Sequence, residues 1–181
     1  MSRRVDIEIK ALAKLLLICA LLITTTTLTA QTDKKFIRQG NKQFEKNNFP
    51  ESEVSYRRAI DKNAKSPEAV FNIGDALYKQ NKFEDAGKQF IENINLNEDK
   101  NKKSDGLYNL GNSLLKANKF PESIEAYKGS LKLRPDNKEA KYNLAYAQDL
   151  IQATLDISPG FIVTHPVNSG HPFSFRVKRD L

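Results

Sequence analysis

Phe71-Asn72-Ile73-Gly74 returns as Tyr108-Asn109-Leu110-Gly111 and again as Tyr142-Asn143-Leu144-Ala145, and Gly40 stands one period earlier. The offsets from 40 to 74, 74 to 111 and 111 to 145 are 34, 37 and 34. Phe49, Phe83 and Phe120 keep the same 34 and 37, and so do Tyr56, Phe90 and Tyr127. Three series in one register make an internal repeat the first fact about the chain.

Inside each unit the apolar residues step by three and four, as in Phe83, Ala86, Phe90 and Ile94, or Phe120, Ile124, Tyr127 and Leu131. That spacing lines one face of an α-helix. Asn47, Asn81 and Asn118 recur where a first helix must stop, and asparagine tolerates the left-handed conformation that closes a helix. Pro50 and Pro121 then fall in the first turn of a second helix, where a missing amide proton costs nothing. Ser66 before Pro67 predicts a cap, and Asp136 with Glu139 predicts a capping box for a further helix. Each unit is therefore expected to be two helices joined by a tight turn, and the chain all-α.

These units resemble tetratricopeptide (TPR) repeats. The second supplies Ile73-Gly74, Leu77, Phe83, Ala86 and Phe90; the third Leu110-Gly111, Leu114, Phe120, Ser123, Tyr127, Ser130 and Pro135; the first Gly40, Phe49, Ser52, Tyr56 and Ala59. The resemblance implies a right-handed superhelical stack of helix hairpins, with repeats at 34–66, 67–103 and 104–137 and a capping helix over 138–154. The second repeat departs from the pattern twice. Asn93 takes a place where a small residue is expected at a helix crossing, and Lys100-Asn101-Lys102-Lys103 contains the three residues that stretch one period to 37. A buried asparagine costs about 1 to 3 kcal/mol unless hydrogen-bonded, so the junction of units two and three is expected to be the softest and the insert to lie on the surface.

The flanks read differently. Arg3, Arg4, Lys10 and Lys14 precede an apolar run from Leu15 to Ile23 and a threonine stretch ending at Ala30, which is signal-peptide grammar over residues 1–30. The protein is expected to be exported, periplasmic or secreted, the alternative being an anchor by an uncleaved N-terminal segment. Cys19, the only cysteine, lies inside the run, so the mature chain would carry no thiol chemistry. Residues 155–181 hold three prolines, two glycines, both histidines and no helical period, and are expected to be a disordered tail.

Composition excludes several classes of function. The net charge of +7 falls to +5 beyond the first thirty residues, and lysines outnumber arginines 21 to 8, without an arginine stripe for phosphates or base edges. No nucleic-acid partner is expected. His165 and His171 lie in the tail without a carboxylate pair, so neither a metal nor a catalytic centre is expected. Gly106 to Ser113 nearly spells a phosphate-binding loop, but Asn112 stands where its lysine must be and the segment lies inside a helical repeat. Glu51, Glu53, Glu84 and Asp85 fall at the starts of second helices, where they suit the helix dipole. The sequence predicts neither an enzyme nor a cofactor.

What remains is binding. In TPR proteins the first helix of each pair lines the inner wall, and Asn72, Asn109 and Asn143 would stand there one period apart, with Asn41 and Asn112 alongside. Such asparagines resemble a ladder in which each amide offers one donor face and one acceptor to an extended peptide backbone. Phe71, Tyr78, Tyr108, Tyr142 and Tyr146 would add flat apolar contacts around them. Clamps for acidic C-terminal peptides need groove lysines where this chain has Ile37, Phe71, Tyr108 and Tyr142, so a terminal carboxylate is not the expected ligand. The expected function is a non-catalytic adaptor holding a protein or extended peptide in its concave groove, the alternative a structural, self-associating envelope protein. The order of parts, with Tyr-Asn-Leu-Ala-Tyr-Ala in the capping helix, also resembles the small TPR component of bacterial aerotolerance (Bat) operons. That resemblance implies an envelope complex with membrane-bound partners containing von Willebrand factor type A domains.

Overall fold

The computed structural model describes residues 12–14, 16 and 33–156, and every described regular element is a helix. Helix α1 covers 33–45, followed by α2 (Phe49–Lys62), α3 (Pro67–Lys79), α4 (Phe83–Leu96), α5 (Lys100–Lys116), α6 (Phe120–Leu133) and α7 (Lys138–Asp156). From α2 onward each helix packs on the next, and α5 also touches α7. The result is three antiparallel hairpins, α1/α2, α3/α4 and α5/α6, stacked in chain order with α7 laid on the last. The signal-peptide reading of 1–30 and the tail beyond 156 lie outside the described residues, apart from the helical, exposed 12–14 and 16. Helix α7 itself runs through Asp156, two residues into the stretch expected to be irregular.

All three hairpins turn on the expected asparagine. Asn47, Asn81 and Asn118 have φ of 59°, 61° and 59°, and no other described non-glycine residue has positive φ. Each turn then closes in one way. The amides of Asn48, Lys82 and Lys119 donate to the carbonyls of Gln43, Leu77 and Leu114 at 2.9, 3.0 and 2.9 Å, the six-to-one bond that satisfies an orphaned helix-end carbonyl. Pro50 and Pro121 sit at the first or second position of α2 and α6. Ser66 caps α3 by accepting the Ala69 amide. For α7 the expected capping box is corrected: Asn137 is the cap, its Oδ1 accepting the Ala140 amide at 3.0 Å, while Asp136 precedes it in the turn.

Packing explains why the glycines and aromatics share a register. A Cβ on Gly74 would lie 2.7 Å from the Phe90 ring and one on Gly111 2.5 Å from the Tyr127 ring, and Gly40 faces Tyr56 in the same way. The missing side chain lets the second helix drive its ring against the backbone of the first. Tyr56, Phe90 and Tyr127 are accordingly 2%, 0% and 0% exposed, each stabilising its hairpin by roughly 2 to 3 kcal/mol through burial alone. One apolar cluster runs from Ile37 and Phe44 through Phe90 to Leu110 and Ala126. A second joins Tyr108, Leu115, Ile124 and Tyr127 to Ala140 and Ala147 of α7. Residues Lys100, Asn101 and Lys102 of the insert are exposed, as expected, and form the extra first turn of α5, capped by Asp99, which accepts the Asn101 and Lys102 amides.

Candidate binding groove

Residues one place after the repeat glycine look toward the second helix of their hairpin, and they are not alike. Asn41 Oδ1 accepts the Tyr56 hydroxyl at 2.8 Å, and Asn112 Oδ1 accepts the Tyr127 hydroxyl at 2.7 Å. The equivalent residue of the second repeat is Asp75, and the ring facing it belongs to Phe90, which has no hydroxyl to give. Asp75 is 2% exposed, and neither carboxylate oxygen has a hydrogen-bond partner among the described residues. Burial raises its carboxyl well above the usual range, with only Lys79 pulling the other way.

The expected asparagine ladder is not a uniform row of rungs. Asn109, Asn112 and Asn143 are 1%, 1% and 5% exposed, and they spend their amides on one another and on tyrosines. Asn143 Nδ2 donates to Asn112 Oδ1 at 2.8 Å and to the Tyr108 hydroxyl at 3.4 Å, and Asn112 Nδ2 reaches Asn109 Oδ1 at 3.5 Å. The reason is α7, which packs along α5 and α6 and takes this part of the wall into the interior. Tyr108, 5% exposed, leans on Tyr127 with ring centroids 6.1 Å apart. Tyr78 stands edge-on to Phe83 in the core, where burial, with the Tyr108 charge as a smaller cause, pushes its phenol up to about 12.

The other five named residues remain within reach of solvent. Asn41, Phe71, Asn72 and Tyr146 are half-buried, and Tyr142 is exposed on α7. Phe71 packs edge-on against Phe90, with 5.5 Å between centroids. Phe71 and Asn72 also line a cleft of about 320 Å³ where the starts of α1, α3 and α5 meet the end of α4. Its charged lining is mixed, Asp33, Glu68 and Asp105 against Lys34 and Lys102, with Ile37, Pro67 and Phe71 giving apolar wall between them. The Arg134 guanidinium holds Asp105 at 2.6 Å, and Asn63 Nδ2 holds Asp33 at 2.9 Å.

Sequence reasoning named Phe71 and Asn72 but missed the rest of this cleft as a site, because its walls come from four helices far apart in the chain. A signal was present in Asn63 and Asn97, which are 34 residues apart and both end a second helix. Past the other end of α3, Glu53 of α2 ties the two helices together: its carboxylate accepts Gln80 Nε2 at 2.9 Å and pairs with Arg57 at 2.8 Å. Burial pushes the Glu53 carboxyl up, but the hydrogen bonds from Gln80 and Arg57 and the charges of Arg57 and Lys82 outweigh it and hold the group below its ordinary range.

Comparison with known proteins agrees with this geometry. Residues 40–81 match a family model described as TPR repeat, and residues 108–152 match one described as tetratricopeptide repeat. Among solved structures, the first TPR domain of human RPAP3 is 21% identical with a TM-score of 0.63, over 70% of this chain and 97% of that one. The first TPR of Spaghetti (RPAP3), bound to the HSP90 peptide SRMEEVD, is 23% identical with a TM-score of 0.63, over 67% and 94%. The Sgt2 TPR domain of Aspergillus fumigatus is 16% identical with a TM-score of 0.63, over 76% and 91%. A search of curated proteins finds no match to the sequence.

Proposed function

With residues 40–81 and 108–152 as tetratricopeptide repeats on a stack of helix hairpins, we propose that this protein is a non-catalytic interaction module that holds an extended segment of a partner protein. The observation that carries the reading is the cleft of about 320 Å³ beside Asn72 and Phe71, an amide and an aromatic face on first helices that open to solvent. An amide meets a peptide backbone in either polarity, and a half-buried phenylalanine gives a binding segment apolar area to cover. Solved relatives of this fold bear peptides, among them the Spaghetti domain with SRMEEVD and the second RPAP3 domain with SGPTIEEVD. The groove here has Ile37 and Phe71 in place of clamp lysines, so its peptide differs from those acidic termini.

We place the module outside the cytoplasm, on the strength of the basic, apolar and threonine-rich order of residues 1–30. The Bat resemblance extends the reading to an envelope complex with membrane-bound partners. The test is crosslinking of the full chain in cells with mass spectrometry, beside Asn72→Ala and Tyr142→Ala. Both positions are open enough for the helical signal to survive. Loss of the same crosslinked partner in both variants is the expected result; unchanged capture in both rejects the groove. Light scattering on the eluted protein covers the structural alternative, for which a self-associated species without partner would be found.

A further inference from the structure

The third repeat leaves open what the second repeat closes. Val70, Ile73 and Leu77 of α3 are all buried. Their counterparts one period on, Leu107, Leu110 and Leu114, run as a stripe along α5, and there only Leu110 is buried while Leu107 and Leu114 keep part of their surface in solvent. The three leucines wall an open groove of about 510 Å³, completed by Pro121, Glu122, Glu125 and Ala126 from the first half of α6. Small residues on α6 make room for it. Where α4 carries Gln89 and Glu92, α6 carries Ala126 and Gly129, and a Cβ on Gly129 would stand 3.4 Å from Leu107. The groove shares no lining residue with the cleft beside Asn72 and is a separate surface.

Its charged lining is acidic throughout: Glu122 and Glu125, both exposed, with no lysine or arginine. Lys128, from outside the lining, holds Glu125 at 2.7 Å, and Glu122 stands at the rim. An apolar stripe beside a carboxylate suits a segment that is apolar on one side and basic on the other. The chain carries one beyond α7, Phe173-Ser174-Phe175-Arg176-Val177-Lys178. In an extended segment successive side chains alternate, so Phe173, Phe175 and Val177 would share one side and Arg176 and Lys178 the other. Phe173 to Val177 would cover about 13 Å, against about 11 Å from Leu107 to Leu114 along α5. The tether is long enough. Helix α7 packs on α6 and, at 19 residues against 14, runs back past its start, which brings the chain out near Pro121. The 16 residues between Asp156 and Phe173 can span about 50 Å. Such a tether presents the segment at an effective concentration on the order of millimolar, so a contact too weak to hold two separate molecules would still fill the groove. We propose that residues 173–178 dock in the α5/α6 groove of their own chain, with Phe173, Phe175 and Val177 against the leucine stripe and Arg176 against Glu122.

The experiment places the photocrosslinking residue p-benzoylphenylalanine at position 175 of the full chain, illuminates dilute protein and maps the products by mass spectrometry. Crosslinks within one chain to residues 107–126 are the expected result. Absence of crosslinks, crosslinks scattered over other faces of the stack, or crosslinks to the groove found only between two chains overturn the proposal. Arg176→Glu should lower the groove crosslink about threefold, Glu122→Lys should do the same, and the double reversal should restore it. Single reversals without effect, or a double reversal that restores nothing, reject the docking as well. Arg176 lies beyond α7 in the chain, so its reversal leaves the packing of the helices alone and decides the matter even if Glu122→Lys disturbs α6.

Discussion

The second and third repeats share a backbone plan and differ in how they settle the polar groups buried inside it. In the third, Asn112 accepts from Tyr127, and Ser130 Oγ donates to the Ser104 carbonyl at 2.9 Å while Ser104 Oγ returns a bond to the Ser130 carbonyl at 3.0 Å. In the second the same three places hold Asp75, Phe90 and Asn93, and three oxygens have no partner: both of Asp75 and the amide oxygen of Asn93. Packing is equally tight in both. Periodic apolar contacts therefore build the stack, while the polar residues at these positions bond to one another in one repeat and leave its neighbour with unmet bonding capacity there. Unsatisfied buried groups in a native fold call for an explanation, and at these three equivalent positions they fall in the second repeat.

The hardest blow to the shared plan is Gly111→Ala. The new methyl would meet the Tyr127 ring at 2.5 Å, closer than real atoms stand, and the helices would have to part. A loss of about 3 kcal/mol is expected in urea unfolding. An unchanged midpoint would show that the ring can slide away and that glycine is not what sets the hairpin.

Tyr127→Phe converts the third repeat to the chemistry of the second. It removes the donor to Asn112 but keeps the ring, and should cost about 2 kcal/mol. Thermal melts that coincide with the wild type would erase the contrast between the repeats.

Asp75→Asn runs the opposite way and should stabilise by about 1 kcal/mol at pH 8. The folded carboxyl is raised by burial, whereas in the unfolded chain it ionises near its ordinary value of about 4. Between those two values the folded state keeps a proton that the unfolded state has released, so stability falls as pH rises through that window. Below about pH 4 the folded and unfolded forms are both protonated and the variant's pH-dependent advantage should vanish. A stability difference that does not change between pH 4 and 8 would show that Asp75 is not held protonated.

Much of the fold was legible because its determinants are local or periodic. The asparagine turns at 47, 81 and 118, the prolines in the first turns of α2 and α6 and the glycine–ring series can each be read from residue type and spacing. The α7 cap was harder, since Asp136 and Asn137 are both good caps and only the backbone path decides between them. The groove was legible in composition but not in depth. Asn72, Asn109 and Asn143 are equivalent in sequence, yet α7 covers Asn109 and turns its own Asn143 inward onto α5, leaving Asn72 half-buried beside the cleft. Burial of that kind depends on which helix comes next, a fact the repeat period cannot carry. Asp75 went unread, because an acid one place after the repeat glycine is ordinary until the structure shows it buried without a hydroxyl partner where Asn41 and Asn112 each meet a tyrosine.

The insert leaves one more mark. In repeat register α5 should begin at Ser104, the counterpart of Pro67, yet it begins at Lys100, so roughly one helical turn, about 6 Å at 1.5 Å per residue, juts past the starts of its neighbours. Near-translational repetition would otherwise let a guest polypeptide slip along the row by one unit and meet the same surface again. The step breaks that equivalence and gives a guest one register to settle in.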